Sequence, residues 1–159
     1  MSHLKSGFVL TEAVIAVTVA TVVIVVLSGT FNLALKSALS NMAKIQAAYL
    51  AEEGIEAVRL LRDNSWNTNI ATHPTGTTFY LTWSAGTWQS SNNGTFIDNL
   101  FERKIVLDDV SRDSGQNIVT SGGANDPNTK KVTVTVSWLG RGATTTRSLS
   151  TYLTNVFNN

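Results

Sequence analysis

From Ala13 to Leu35 the chain runs for 23 residues without a charge, and residues 13–27 read AVIAVTVATVVIVVL, with nothing more polar than Thr18 and Thr21. A bilayer is crossed by about 20 apolar residues, so this run is long enough to span one. A core helix of a water-soluble protein is usually shorter and keeps a polar stripe, whereas here the apolar character goes all the way round. A secretory signal also fits poorly. Its apolar core covers roughly 7 to 15 residues before a small-residue cleavage site, whereas this run passes directly into more helix-forming sequence, with no Ala-x-Ala pattern near Ser28 and Gly29. The expectation is a membrane-spanning helix.

One carboxylate, Glu12, stands at the head of that run. A charge at the start of a span is costly unless it finds a partner, which makes Glu12 a functional candidate; the plainer alternative is a carboxylate resting among lipid headgroups. Lys5 supplies positive charge before the span, so the N-terminus is expected on the cytoplasmic side and the remainder outside.

The helical pattern does not stop with the apolar run. Ala47, Leu50, Ala51, Gly54, Val58 and Leu61 recur at spacings of three and four, while Glu52, Glu53, Glu56 and Arg59 fill much of the remaining surface. That is an amphipathic helix with something to cover. No Pro precedes Pro74, and the first cluster of stop signals is Asp63-Asn64-Ser65, so one helix is expected from about Phe8 to Asp63. Gly29, Gly54 and the β-branched run Val22 to Val26 lower helix propensity and are places for local bending or unwinding.

After Trp66 the chemistry turns to strands and turns. Expected strands are 77–83, 101–107 (Phe101, Arg103, Ile105 and Leu107 on one face), 131–139 (Val132, Val134, Val136 and Trp138 on one face, toward the helix) and 145–153, the last two joined by Gly140-Arg141-Gly142-Ala143. Residues 111–130 read as a long exposed loop, and 89–95 as a turn region. The fold class is therefore α+β, a long helix across an antiparallel sheet of about four strands. The expected divisions are 1–7, 8–35 in the membrane, 36–64 as the amphipathic half and 65–159 as the sheet part of the same domain.

Little in the composition points to catalysis. Cysteine is absent, and only His3 and His73 could serve as imidazole bases or ligands; His73-Pro74 has no nucleophile motif beside it, so no enzyme and no cofactor are expected. Asp108, Asp109, Asp113 and Asp126 could offer oxygens to calcium, but their spacing matches no defined calcium loop, and solvated carboxylates are the commoner case. Twelve Lys and Arg against eleven Asp and Glu leave a net charge of +1, which indicates no nucleic-acid partner. Trp66, Trp88, Tyr80 and the pair Lys130-Lys131 form a possible contact set for DNA or glycan, weighed against ordinary packing of aromatics in a small sheet.

The stretch Lys5-Ser6-Gly7-Phe8-Val9-Leu10-Thr11-Glu12, directly before the uncharged run, resembles the class III signal of type IV prepilins and pseudopilins: a short basic leader ending in Gly, then Phe, then Glu fifth in the mature chain. Ala51 to Arg59, the Arg103 strand and the Val-Thr-Val-Thr-Val-Ser-Trp strand look like PilV-type minor pilins and the minor pseudopilins of type II secretion. The resemblance implies cleavage by prepilin peptidase between Gly7 and Phe8 and N-methylation of Phe8. It also implies assembly through Glu12, which faces a neighbour's N-terminal amine. The implied partners are other pilin or pseudopilin subunits, the peptidase, an inner-membrane assembly platform and, before assembly, the lipid bilayer. The implied destination is a periplasmic or extracellular filament. Many Gram-negative pilins close a C-terminal loop with a disulfide, and this chain cannot. The alternatives are a pseudopilin of a type II secretion or competence system with a binding role, and a plain single-pass anchor with an external domain, the last separated by whether Met1 to Gly7 is retained.

Overall fold

The apolar run and the amphipathic pattern after it form a continuous helix, α1 (His3–Asn64), in the computed structural model, which describes residues 3–140, 142–157 and 159, with side chains from Val9 onward. The helix runs unbroken through Val22 to Val26, Gly29 and Gly54, so the low-propensity positions do not unwind it. The chain divides into two units, residues up to Met42 and the body Ala43–Asn159.

In the body, α1 ends where the polar cluster begins. Ser65 leaves the helix in an extended conformation and caps a short second helix, α2 (Trp66–Asn69), its Oγ accepting from the Thr68 N–H. The carbonyl of Leu61, left open by the helix end, accepts from Ser65 N and from Asn69 Nδ2. This is the ordinary need of a terminus whose last carbonyls have no intrahelical donor.

Among the described residues seven antiparallel strands follow: β1 (Thr78–Ser84), β2 (Thr87–Ser91), β3 (Phe96–Ile97), β4 (Phe101–Arg112), β5 (Ile118–Val119), β6 (Ala124–Gly140) and β7 (Ala143–Thr154). The order across the sheet is β2-β1-β4-β6-β7, with β3 and β5 also pairing with β4. Four of these cover the expected strands. The sheet is larger than expected because β2 and β3 form on either side of residues 92–95 and because 111–130 is not a plain loop. It holds β5 and the first part of β6, and there Val110, Ser111 and Arg112 pair with Asp126, Asn125 and Ala124 beyond a register shift at Asp109/Val110. Pro127, which has no N–H to give a ladder, falls in that irregular stretch, where proline is tolerated. The region 89–95 likewise contains the end of β2.

Period-two alternation places the core. Phe101, Ile105 and Leu107 of β4 and Val132, Val134, Val136 and Trp138 of β6 are buried against Ala47, Ala51, Ile55, Val58 and Leu61 of α1. On β7 the same face is fully buried only at Leu153, with Thr145 and Thr151 half-buried and Leu149 39% exposed. A Cβ added to Gly54 would come within 2.8 Å of Val134 Cγ1 and 3.1 Å of Arg103 Cδ. The glycine expected to loosen the helix instead allows its backbone to approach the sheet.

Candidate functional site

The helix that carries Glu12 is apolar on every side. From Val9 to Leu35 its large aliphatic and aromatic side chains are all exposed, and among the described residues α1 is the one helix long and apolar enough to cross a membrane. Four of its polar side chains bond back within the helix. Thr18 Oγ1 donates to Val14 O at 2.7 Å and Thr21 Oγ1 to Val17 O at 2.8 Å. Further on, Thr30 Oγ1 donates to Leu27 O at 2.9 Å and Asn32 Nδ2 to Ser28 O at 2.8 Å. In hydrocarbon no water can satisfy such groups, and an unsatisfied one costs several kcal/mol; back-bonding to the preceding turn removes that cost.

Glu12 has no such bond. It sits on this helix with Thr11, Ile15 and Ala16 around it, and among the described residues no hydrogen bond or ion pair engages its carboxylate. A carboxylate with no partner of its own, at the head of an apolar helix, has to find one outside the chain or stay at the water boundary. The expected cleavage and methylation positions, Gly7 and Phe8, lie on the helical backbone, and beyond that they fall outside what the structure describes.

In the body, the residue that most departs from core chemistry is Arg103. The alternation of β4 puts it on the buried face between Phe101 and Ile105, and it is 5% exposed. Its Nη1 donates to Leu50 O at 3.1 Å and stands 3.4 Å from Glu53 Oε2, and its guanidinium carbon lies 5.2 Å from the centre of the Trp88 ring. Burial pulls its pKa down, and Glu53 opposes that shift. The guanidinium is held by a helix carbonyl, a half-exposed carboxylate and an aromatic face, an arrangement that fastens α1 to β4.

The structure does not bring the four aspartates together. Asp109 pairs with Lys130, whose ammonium, with the Thr75 hydroxyl, holds the carboxyl below its usual range. Asp126 pairs with Arg112 at 2.7 Å, which lowers it in the same way. Asp113 accepts from the N–H groups of Asn117 and Gly115, Asn117 being the larger cause of its lowered pKa. Asp108 lies opposite Lys131 in the ladder. Among the described residues no group of three or more His, Asp or Glu is placed to hold a metal.

The aromatic and basic contact set is also dispersed. Trp66 is in the core, Lys130 is buried, and Trp88 is half-buried over Arg103; Tyr80 is half-buried with its hydroxyl 3.5 Å from Glu102. The exposed tryptophan is Trp83, 60% exposed and edge-on to Trp88, which the sequence pattern passed over as an ordinary strand aromatic. His73 stacks on Phe79 with ring centres 4.1 Å apart, and burial lowers its pKa. Comparison with protein-family models, with curated proteins and with solved structures found no match to this chain.

Proposed function

We propose that this chain is the precursor of a structural subunit, of the minor kind, in a type IV pilus-like filament. In this reading the leader Met1–Gly7 is removed by prepilin peptidase, Phe8 becomes the methylated N-terminus, and α1 anchors the protein in the cytoplasmic membrane with its N-terminus inside. Assembly then transfers the helix from lipid into the filament, and the α+β body is displayed outside. The observation that carries the reading is the Glu12 carboxylate, unpaired within the described residues at the head of an apolar helix in which Thr18, Thr21, Thr30 and Asn32 bond back to the preceding turn, in a sequence context of Gly7, Phe8 and Glu12. A neighbour's Phe8 amine would supply the missing charge, and because a buried carboxylate is expensive alone, the pairing selects one register between subunits.

The test compares membrane and sheared filament fractions for the parent and Glu12→Ala. The substitution should leave insertion intact or improve it, because a carboxylate at a span's centre costs about 2.5–3.5 kcal/mol and less at its edge. It should deplete the filament fraction. A plain membrane anchor gains from the same change and has no filament fraction to lose, and equal filament recovery for the two chains removes Glu12 from the assembly contact.

A further inference from the structure

Asn93-Gly94 is the single Asn-Gly pair in the chain, and it lies in the exposed segment 92–95 between β2 and β3. Hydrogen bonding in this segment runs through Ser91, whose Oγ accepts from the Asn93 N–H at 3.1 Å and donates to the Asn93 carbonyl at 3.2 Å. Among the described residues no hydrogen bond engages the Asn93 side-chain amide or the Gly94 N–H. The glycine fits its neighbour. A Cβ at position 94 would stand 2.7 Å from Tyr80 Cε1 and 2.9 Å from its Cζ, so the fold keeps a bare backbone next to the asparagine.

The peptide nitrogen that follows Asn64, Asn67, Asn69, Asn92 or Asn99 is held instead. Ser65 N, after Asn64, donates to Leu61 O at 3.1 Å; Ile70 N, after Asn69, to Trp66 O at 3.0 Å; and Leu100 N, after Asn99, to Ile97 O at 3.0 Å. Thr68 N and Asn93 N, after Asn67 and Asn92, donate to serine hydroxyls at 3.3 and 3.1 Å. Each of those nitrogens is also crowded by its own residue's side chain. Asn93 is followed by a nitrogen that is neither bonded nor crowded.

We propose that Asn93 is a site of slow self-modification, at which the chain's own backbone converts the side-chain amide to a carboxylate. The Gly94 nitrogen gives up its proton to solvent base and attacks Asn93 Cγ. The N–Cγ bond forms, the Cγ–Nδ2 bond breaks, and Nδ2 takes a proton from solvent and leaves as ammonia. Water then adds to either carbonyl of the cyclic imide and breaks its bond to the Gly94 nitrogen. Opening at Cγ gives aspartate; opening at the main-chain carbonyl gives isoaspartate, in which the backbone runs through the former side chain. Attack within one segment gains from proximity, and a free, uncrowded nitrogen is what sets Asn93 apart. One conversion takes the formal net charge from +1 to 0, and isoaspartate adds a main-chain carbon beside Tyr80 and the two-residue β3. An aged body thus differs from a new one in charge and in the course of this exposed segment. The reaction consumes only water and is independent of the filament reading.

The test ages the full-length protein in detergent at physiological temperature and compares it with fresh protein. Cleavage after Arg62 and Arg103 releases one fragment that carries both Asn64 and Asn93, so sequencing by mass spectrometry reads the two from one sample. Asn93 should convert to a mixture of aspartate and isoaspartate, several-fold more than Asn64. Conversion should be faster in mildly alkaline than in mildly acidic buffer, because the attacking nitrogen must lose its proton. Asn93→Gln, whose longer side chain closes the ring far less readily, should show no conversion at that position. Thr95→Val should convert like the parent, although it breaks the Asn-Gly-Thr pattern that a glycan-transferring enzyme would need. An unchanged Asn93, conversion no greater than at Asn64, aspartate without isoaspartate, or a Thr95-dependent sugar mass on Asn93 would each overturn the proposal.

Discussion

Gly54 and Val134 stand so close that a single added carbon on the glycine would lie 2.8 Å from the valine Cγ1, a separation that real Cβ atoms essentially never show. Val134 is buried and β-branched, so it has little freedom to turn aside. In an open helix Gly→Ala gains about 1 kcal/mol. Here overpacking, typically about 1–3 kcal/mol, opposes that gain. Gly54→Ala should therefore lower stability by about 1 kcal/mol net in denaturant unfolding, and pairing it with Val134→Ala should recover part of the loss. A stabilised Gly54→Ala would show that the helix does not need this approach.

Arg103 is fastened by its stem as much as by its charge. Arg103→Ala removes packing beneath α1 and should cost about 2–3 kcal/mol. Arg103→Met keeps the volume and dispenses with the cost of burying a guanidinium, so it should fall within about 1 kcal/mol of the parent. Glu53 is half-exposed, so Glu53→Gln should be the mildest of the three. Urea midpoints at neutral pH measure the order, and a Met variant as damaged as Ala would mean that the charge itself holds the junction.

The pH dependence should have two steps. Folding favours neutral His73 because burial lowers its pKa, so as pH falls below about 6.5 the unfolded chain takes up the proton first and stability declines toward the lower folded value. Asp109, Asp113 and Asp126 are also lowered. Their contributions are present above about pH 4 and fade as pH drops through their folded values. His73→Asn should remove the first step and leave the second, in melting curves taken from pH 8 to 3. A variant with the parent's full profile would place the upper titration elsewhere.

Much of this arrangement is legible in the sequence, and the exceptions have physical reasons. The three-and-four spacing from Ala47 to Leu61 marks the buried helix face, and the alternation of β4 puts Arg103 on the core side, where burial and close approach then bring it against Gly54. What spacing does not reveal is that Asn125 to Asn128, a run of poor strand formers, is drawn into β6 by pairing with the end of β4 and by the Arg112–Asp126 ion pair. Strands of two residues, such as β3 and β5, carry no periodicity of their own and exist only because β4 offers them a partner. Trp66 looked available for contacts because a tryptophan after a helix stop has no pattern around it. Its burial follows from the turn into α2, fixed by Ser65 and by Asn159, whose Oδ1 accepts from the Trp66 N–H.

Removing residues up to Leu35 should leave a soluble body that melts cooperatively. The core residues all lie between Ala47 and Leu153, and none of the most apolar part of α1 is buried, so the cut removes no core packing. Differential scanning calorimetry of the shortened chain reads this directly. A product that binds hydrophobic dyes and shows no transition would mean that the body depends on the apolar helix for its fold.

Mass spectrometry of the mature N-terminus, from a host that contains a prepilin peptidase, is the most direct measurement on the central claim. The proposed function predicts a chain beginning at Phe8 with a methylated amine, and predicts that Gly7→Val, which crowds the backbone at the cut, retains the leader. A parent chain still beginning at Met1 in that host would contradict it and leave a single-pass anchor with an external α+β body.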